Sequence, residues 1–492
     1  MTLWQRRPVY GGAACFPLSV PHMPLDQSLK RHLTIIPWIV AGLCVLECLA
    51  FMLYHHATTG YWAFYMPDTN SYIFDGFTLR PPFYPLFLRA CGFSTDMTEP
   101  TMIAVSLVPI IVHVLSVAAF TRMAIGVGGI WGLCVALVYA LFPSLGILPL
   151  EMGTESFSMS FVVITTYLFY CMLYKPSYVL WIAFTLMILL LQSIKPAFLF
   201  VPVCVAVIGI GMMLMPVDPH RRILSRRLLV SAAVCVAYIL VYSAGVYYKW
   251  GVFTPSTVSL RNDYYEARLA GVLDPKCSPD ADLAAVIDSY ITNRPVIDEV
   301  DSSAWIEGLD LTNKYDLAAL RVTIIESRKK HAAKWRDYFV RKVSLGLSES
   351  LIYPGTDKGV FAGYEFRDDI GRFLTRTGVT WWIPTAVALA MMSLLTLRLA
   401  VCLRHRAGCK KARYGAVDIF ADFRCKSLRA SSNLRAWCLS SFLVLLLAGN
   451  IGVVVFGAPY DFSRLLCPVL PAFFLLLGCL PGLFVHRNDK SA

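Results

Sequence analysis

Residues 33–54 read LTIIPWIVAGLCVLECLAFMLY, an apolar run with a single formally charged side chain, Glu47. Coiled as an α-helix at ~1.5 Å per residue, the run reaches about 33 Å, enough to cross the roughly 30 Å hydrocarbon layer of a bilayer. Backbone amides in hydrocarbon must find partners inside their own segment, which makes the helix the expected form of such a run. Comparable runs follow at Met102–Phe120, Met123–Phe142, Ser156–Tyr174, Tyr178–Ile194, Ala197–Met215, Leu228–Tyr248, Val379–Leu399, Trp437–Val455 and Leu465–Val485. The expected fold class is an all-α polytopic membrane protein with about ten transmembrane helices and a mainly helical exoplasmic loop domain.

The composition agrees. Of 492 residues 57% are hydrophobic and 15% charged, with a mean hydropathy of +0.60; soluble domains carry about 25% charged residues. The net charge of +12 does not imply nucleic acid, because its location gives it another meaning. Gly251 to Arg376 holds 17 basic and 19 acidic residues, so the excess lies in short stretches beside the spans. Most of the 15 cysteines sit inside apolar runs at no zinc-type spacing and read as packing residues. Cys91 and Cys277 fall in exoplasmic loops and are the pair available for a disulfide. No cleavable signal peptide is expected, since the first apolar run is too long for a signal core.

Lys and Arg set the orientation. With the N-terminus inside, Arg6, Arg7, Lys30, Arg31, Arg122, Lys175, Arg226, Arg227, the cluster from Arg404 to Arg435, Arg487 and Lys490 all fall on one face. The chain then divides into a cytoplasmic segment (1–32) and an N-terminal membrane domain (33–248) of about seven spans, with exoplasmic loops 55–101 and 143–154. An exoplasmic helical loop domain (249–378) follows, then a C-terminal membrane domain (379–485) of about three spans with a basic cytoplasmic loop, 400–436, and a cytoplasmic tail (486–492). Within the loop domain, Leu283, Val286, Ile287 and Ile291 predict one helix. Leu317, Leu320 and Ile324 begin another that runs on through Trp335 and Phe339. The expected location is a bacterial inner membrane with both termini cytoplasmic; no Asn-x-Ser/Thr acceptor occurs in the outside loops.

The outside loops carry the candidate chemistry. Asp68, just past the first span, is placed to take a proton from a hydroxyl, or to cap a short interfacial helix. Asp75 is a weaker version of the same idea. Arg80 opens Arg-Pro-Pro-Phe-Tyr-Pro and is either a phosphate ligand or a solvated loop arginine. Tyr72 precedes that motif and Tyr84 lies within it; Tyr72 also suits an interfacial anchor. Thr154 reads as the N-cap of the fourth span, and Glu155 suits the positive end of its dipole as well as a catalytic role. Lys195, at the end of the fifth span, is explained cheaply by snorkelling. Arg464 opposes both the helix dipole and the charge rule, which suits an anion ligand or an ion pair with Asp461. Glu47 is expected to face the bundle interior. There is no nucleotide phosphate loop and no His-Glu-x-x-His zinc motif.

In this order the features resemble the GT-C superfamily of polytopic glycosyltransferases, which includes the protein O-mannosyltransferases and the lipid A aminoarabinose transferases. The matching elements are Asp68 soon after the first span, Arg80 to Pro85 in the same loop, Thr154-Glu155 opening the fourth span, Lys195-Pro196, the stretch Leu320 to Leu347, and Arg464-Leu465-Leu466-Cys467-Pro468. The resemblance implies a polyprenyl-phosphate-linked sugar donor and a glycolipid, polysaccharide or protein acceptor outside. It implies Asp68 as general base with Glu155 beside it. Arg80, Lys195 and Arg464 then become donor-phosphate ligands, and Tyr72 and Tyr84 substrate-binding residues. Asp68 is followed by Thr69 rather than by the second acidic residue of some branches; a divalent metal is compatible with the motif but not demanded by it. The alternatives are a transporter or flippase, or a polymerase or ligase for lipid-linked saccharides, and a non-catalytic assembly factor.

Overall fold

The computed structural model describes residues 27–64, 69, 72–73, 80–93, 98–214, 219–293, 317–349, 351, 378–394, 437–455 and 465–484. Among these residues the regular structure is helical, apart from an isolated parallel bridge between Phe64 and Glu151. The principal helices are α1 (Gln27–Thr59), α2 (Phe83–Ala90), α3 (Glu99–Gly128), α4 (Ile130–Ala140), α5 (Glu155–Tyr174), α6 (Tyr178–Ile194), α7 (Val201–Leu214), α8 (Pro219–Trp250), α9 (Val258–Leu269), α10 (Ala281–Asn293), α11 (Leu317–Lys330), α12 (Ala332–Leu347), α13 (Trp382–Leu394), α14 (Trp437–Val455) and α15 (Leu470–Phe484).

Among the described residues, six helices are long and apolar enough to cross a membrane: Thr34–Thr59, Glu99–Gly128, Glu155–Tyr174, Pro196–Met213, Arg222–Trp250 and Trp437–Val455. Four shorter apolar helices accompany them, at Ile130–Ala140, Tyr178–Ile194, Trp382–Leu394 and Cys467–Cys479. Their outward faces carry large apolar side chains such as Ile130, Val179 and Val241, each at least 70% exposed, a surface suited to lipid and not to water. The chain is an all-α, multi-pass membrane protein.

Helix α3 is the hub of the bundle. It packs against α1, α4, α5 and α15, while α5 also packs against α6, and α7 pairs with α8. The α3–α4 turn departs from the sequence reading, which breaks the helix at residues 121–122 and puts Arg122 in a loop. The helix instead continues through Arg122 to Gly128 and turns at Gly129, whose φ is +59°. A lone arginine near a helix end does not interrupt the backbone ladder, whereas a glycine in the left-handed region does. Gly132 lies so close to Ala124 across this turn that a Cβ would overlap the Ala124 carbonyl, and one at Gly128 would overlap that of Gly478. Small residues allow this close helix approach, a common device in membrane bundles. Gly132→Val is therefore expected to destabilise the fold by about 3 kcal/mol or more. Gly211→Val, where nothing lies within 4 Å of the added Cβ, serves as the control. Thermal unfolding of both variants in detergent checks this; equal midpoints would mean that the hairpin relaxes freely.

The unit between α8 and α13 builds its own small core from Leu260, Tyr264, Leu283, Ile287, Leu320 and Ile324. The predicted helix from Leu317 through Phe339 is two helices, α11 and α12, parted at His331 (φ −112°, ψ 37°). An ion cluster around the buried Lys342–Glu266 pair closes the unit. Lys342 Nζ donates to Glu266 Oε1 at 2.6 Å, and Arg328 reaches Asp263 at 2.8 Å and Glu266 at 3.7 Å. Burial pushes the Glu266 carboxyl up and the Lys342 ammonium down, each partly offset by the other's charge. Phe339, Val343 and Leu347 of α12 pack against the membrane core, so this helix joins the two cores. Cys91 and Cys277, the pair available for a disulfide, are both free thiols.

Candidate functional site

Two loops that are far apart in sequence are held together by backbone first. Phe64 N–H donates to Leu150 O and Met152 N–H to Phe64 O, both at 2.9 Å. The Thr69 hydroxyl then donates to Met152 O at 2.9 Å. These bonds lay the chain after α1 alongside Leu150–Thr154, a segment buried throughout. Asp68 precedes Thr69 in the chain; it lies outside the described residues, as do Asp75 and Arg464. The Cys467–Val469 turn, shortly after Arg464 in the chain, packs on α5.

From this seam a line of side chains runs to the end of α6. The Arg80 guanidinium stands over the Tyr72 ring, 4.8 Å from its centroid, the geometry of a cation–π contact. The Tyr72 ring meets Tyr84 edge-on at 4.8 Å, and its hydroxyl lies 3.4 Å from Thr154 Oγ1. Thr154 Oγ1 is 3.5 Å from Glu155 Oε2, and Glu155 Oε1 accepts from Lys195 Nζ at 3.1 Å. Tyr72, Arg80, Tyr84, Glu155 and Lys195 thus occupy one continuous cluster.

Helix ends explain where the charges sit. Glu155 is the first residue of α5 and Lys195 follows the last residue of α6. The carboxylate meets the positive end of one dipole and the ammonium the negative end of the other, so each ion is stabilised twice. The pair is enclosed, with side-chain exposures of 12% for Lys195 and 6% for Glu155. Gly153 leaves room for it: a Cβ there would come within 2.6 Å of Glu155 Oε2.

Several local expectations are corrected. Lys195 does not snorkel; it turns inward to Glu155. Thr154 occupies the N-cap position, but its side chain makes no capping bond and faces Tyr72 and Glu155 instead. Tyr72 and Tyr84, the expected substrate-binding residues, join the same cluster at 4% and 1% exposure. They form the wall that carries Arg80, and burial holds the Tyr84 phenol well above its usual range, so it stays protonated.

Glu47 faces inward as expected. Its carboxyl carbon would lie 2.9 Å from a Cβ at Gly146, and its Oε2 is enclosed with no hydrogen-bonding partner among the described residues. No group of three or more His, Cys, Asp or Glu side chains among the described residues is placed to hold a metal ion.

The sequence reading missed Gln192. It lies in the last turn of α6, 3% exposed, beside a small cleft that adjoins the cluster at Pro81 and Pro196. A signal was there to find: Gln192 is the one carboxamide in the otherwise apolar run of the fifth span.

Compared with protein-family models, curated proteins and solved structures, the chain matches none.

Proposed function

We propose that this protein is an integral membrane glycosyltransferase that moves a sugar from a polyprenyl-phosphate donor to a glycolipid, polysaccharide or protein acceptor at the exoplasmic face. The observation that carries the reading is the convergence of Tyr72, Arg80, Glu155 and Lys195, drawn from three separate segments, into one cluster at the ends of α5 and α6.

In this reading the acceptor oxygen attacks the anomeric carbon while Asp68 takes its proton. The bond from that carbon to the phosphate oxygen breaks, and the polyprenyl phosphate leaves with added negative charge. Arg80, Lys195 and Arg464 offset that charge as it develops. Glu155 holds Lys195 until the donor arrives. The membrane arrangement that goes with this chemistry has ten spans, six from the long helices and four from the shorter ones. Both termini lie in the cytoplasm of a bacterial cell, so the Lys195 end of α6 faces outward.

The test is thermal unfolding of the purified chain with a panel of polyprenyl-phosphate sugars and with bare polyprenyl phosphate. A ligand at a hundred times its Kd adds about 2.7 kcal/mol to the folded state, so the matching donor is expected to raise the midpoint. No shift with any of them, in protein shown to be folded, would turn the reading toward a transporter for another, small polar substrate or toward an assembly role. The enclosed Glu47 carboxylate, on a membrane helix beside Gly146, is the observation that favours that second reading.

A further inference from the structure

The other end of α6, about 25 Å from Lys195 along a 17-residue helix, carries a different kind of surface. There the α5–α6 turn meets the start of α8. Arg227 of α8 is pinned at this joint. Its guanidinium donates to the Pro176 carbonyl at 2.7 Å and stands over the Tyr178 ring, 4.2 Å from the centroid. Trp181 of α6 closes the joint from the other side, its indole N–H donating between Arg227 O at 3.0 Å and Ser231 Oγ at 2.9 Å. The turn and the first turns of α8 thus form one fixed ledge.

Three further cations stand on it. Lys175 and Arg226 are the chain neighbours of Pro176 and Arg227, the two residues joined by that bond, and Arg222 lies one turn before Arg226. All three are exposed. Among the described residues none of them has a side-chain hydrogen bond or an ion pair. Acidic partners are scarce in this part of the chain: residues 156–262 contain a single one, Asp218, which lies outside the described residues. Beside the cations the surface turns apolar, with Tyr178, Val179 and Ile223 all exposed.

This is the surface of a receptor for an amphiphile with a negative head. A soluble anion would meet the cations and leave the apolar skirt uncovered. A zwitterionic lipid would bring a cation of its own to a place that already holds four. Basic ledges between membrane helices are suited to anionic head groups, each Lys or Arg adding to the attraction. We infer that the ledge binds an anionic phospholipid of the surrounding bilayer, with Lys175, Arg222 and Arg226 on its phosphate and its acyl chains along Tyr178, Val179 and Ile223. The site is separate from the charged cluster at Arg80 and Lys195, and it stands whether or not the transferase reading does.

The experiment follows thermal unfolding of the purified full chain in a neutral detergent at 0.15 M salt, where attraction between exposed charges is screened beyond about 8 Å. The added probes are phosphatidylglycerol, phosphatidylcholine and water-soluble glycerol phosphate. Phosphatidylglycerol is expected to raise the midpoint at concentrations about ten- to a hundredfold below those needed with phosphatidylcholine. Replacing the three cations together, Lys175→Gln with Arg222→Gln and Arg226→Gln, is expected to weaken phosphatidylglycerol about a hundredfold. The midpoint without lipid is expected to stay near that of wild type, since these side chains are exposed. The double variant Arg222→Gln with Arg226→Gln gives the same order with a smaller loss and stands in if the triple does not fold. A control removes the same charge from exposed positions of the loop unit, Lys276→Gln with Arg321→Gln and Arg341→Gln, and is expected to respond like wild type. Equal responses to the two lipids, or undiminished phosphatidylglycerol binding in the ledge variants, overturn the site. An equal loss in the control reduces it to general charge attraction, and an equal midpoint rise with glycerol phosphate shows that no lipid is required; either result also overturns it.

Discussion

Asp68→Asn is expected to lower sugar transfer by about two to four orders of magnitude, the usual weight of a positioned general base, with expression and membrane insertion unchanged. Asparagine keeps the size and polarity of the side chain and removes its ability to accept a proton. The neighbouring Thr69, bonded to the Met152 carbonyl at 2.9 Å, ties this part of the loop to the segment that carries Thr154 and Glu155. The substitution is thus expected to act on chemistry and not on loop position. Single-turnover transfer with donor prebound checks it. Near-normal turnover would sink the assignment of Asp68 as base, and loss of donor binding instead of turnover would make Asp68 a donor ligand.

Lys195→Met is expected to have the second large effect, first on stability. The methionine leaves the Glu155 carboxylate enclosed at 6% exposure and without its ammonium partner. Breaking one side of a buried pair costs about 3–5 kcal/mol, chiefly because the remaining charge loses an opposite charge that offset it. Adding Glu155→Gln removes that charge, so the double variant is expected to regain most of the lost stability. Activity separates the two roles of the lysine. If Lys195 only positions Glu155, the double variant recovers transfer along with its fold. If the ammonium offsets charge on the departing phosphate, the double variant stays about a hundred- to a thousandfold slow. Thermal midpoints and transfer rates on the four proteins of this cycle give the answer.

The outline of the fold was legible because hydrophobic length is a one-dimensional property. The run Tyr178–Ile194 matches its helix to the residue, since Ser177 caps one end and Lys195-Pro196 closes the other. Where a boundary depends on backbone conformation, charge misleads. Arg122 looks like the end of a span, yet the turn belongs to Gly129 with its positive φ. The split at His331 has the same origin: the apolar stripe runs through it and says nothing about a local break in the ladder.

The candidate site was legible as a set of residues and not as a set of relations. Tyr72, Arg80, Glu155 and Lys195 each stand out by type and position. That Lys195 faces Glu155, 40 positions away, requires knowing that α5 and α6 pack antiparallel with one pair of ends together. Snorkelling was the cheaper reading only while the partner was unseen. Thr69 could not be singled out and Thr154 reads only as a cap, because their contacts come with the Phe64–Glu151 bridge, a pairing that no pattern in either loop announces.

The pairing of α7 with α8 bears on how concentration should be counted. Only 22% of the apolar stretch of Arg222–Trp250 is buried, against 67% of that of Glu155–Tyr174, so α8 borders the lipid while also supplying Arg222 and Arg226 to the cationic ledge. A ligand carried on a lipid tail therefore approaches sideways, out of a two-dimensional solution. For such a ligand occupancy follows its mole fraction among the surrounding lipids, and diluting the sample with buffer leaves that fraction untouched. Adding more lipid or detergent at fixed ligand lowers it, and any half-saturation value stated in bulk molar units moves in proportion to the amphiphile present.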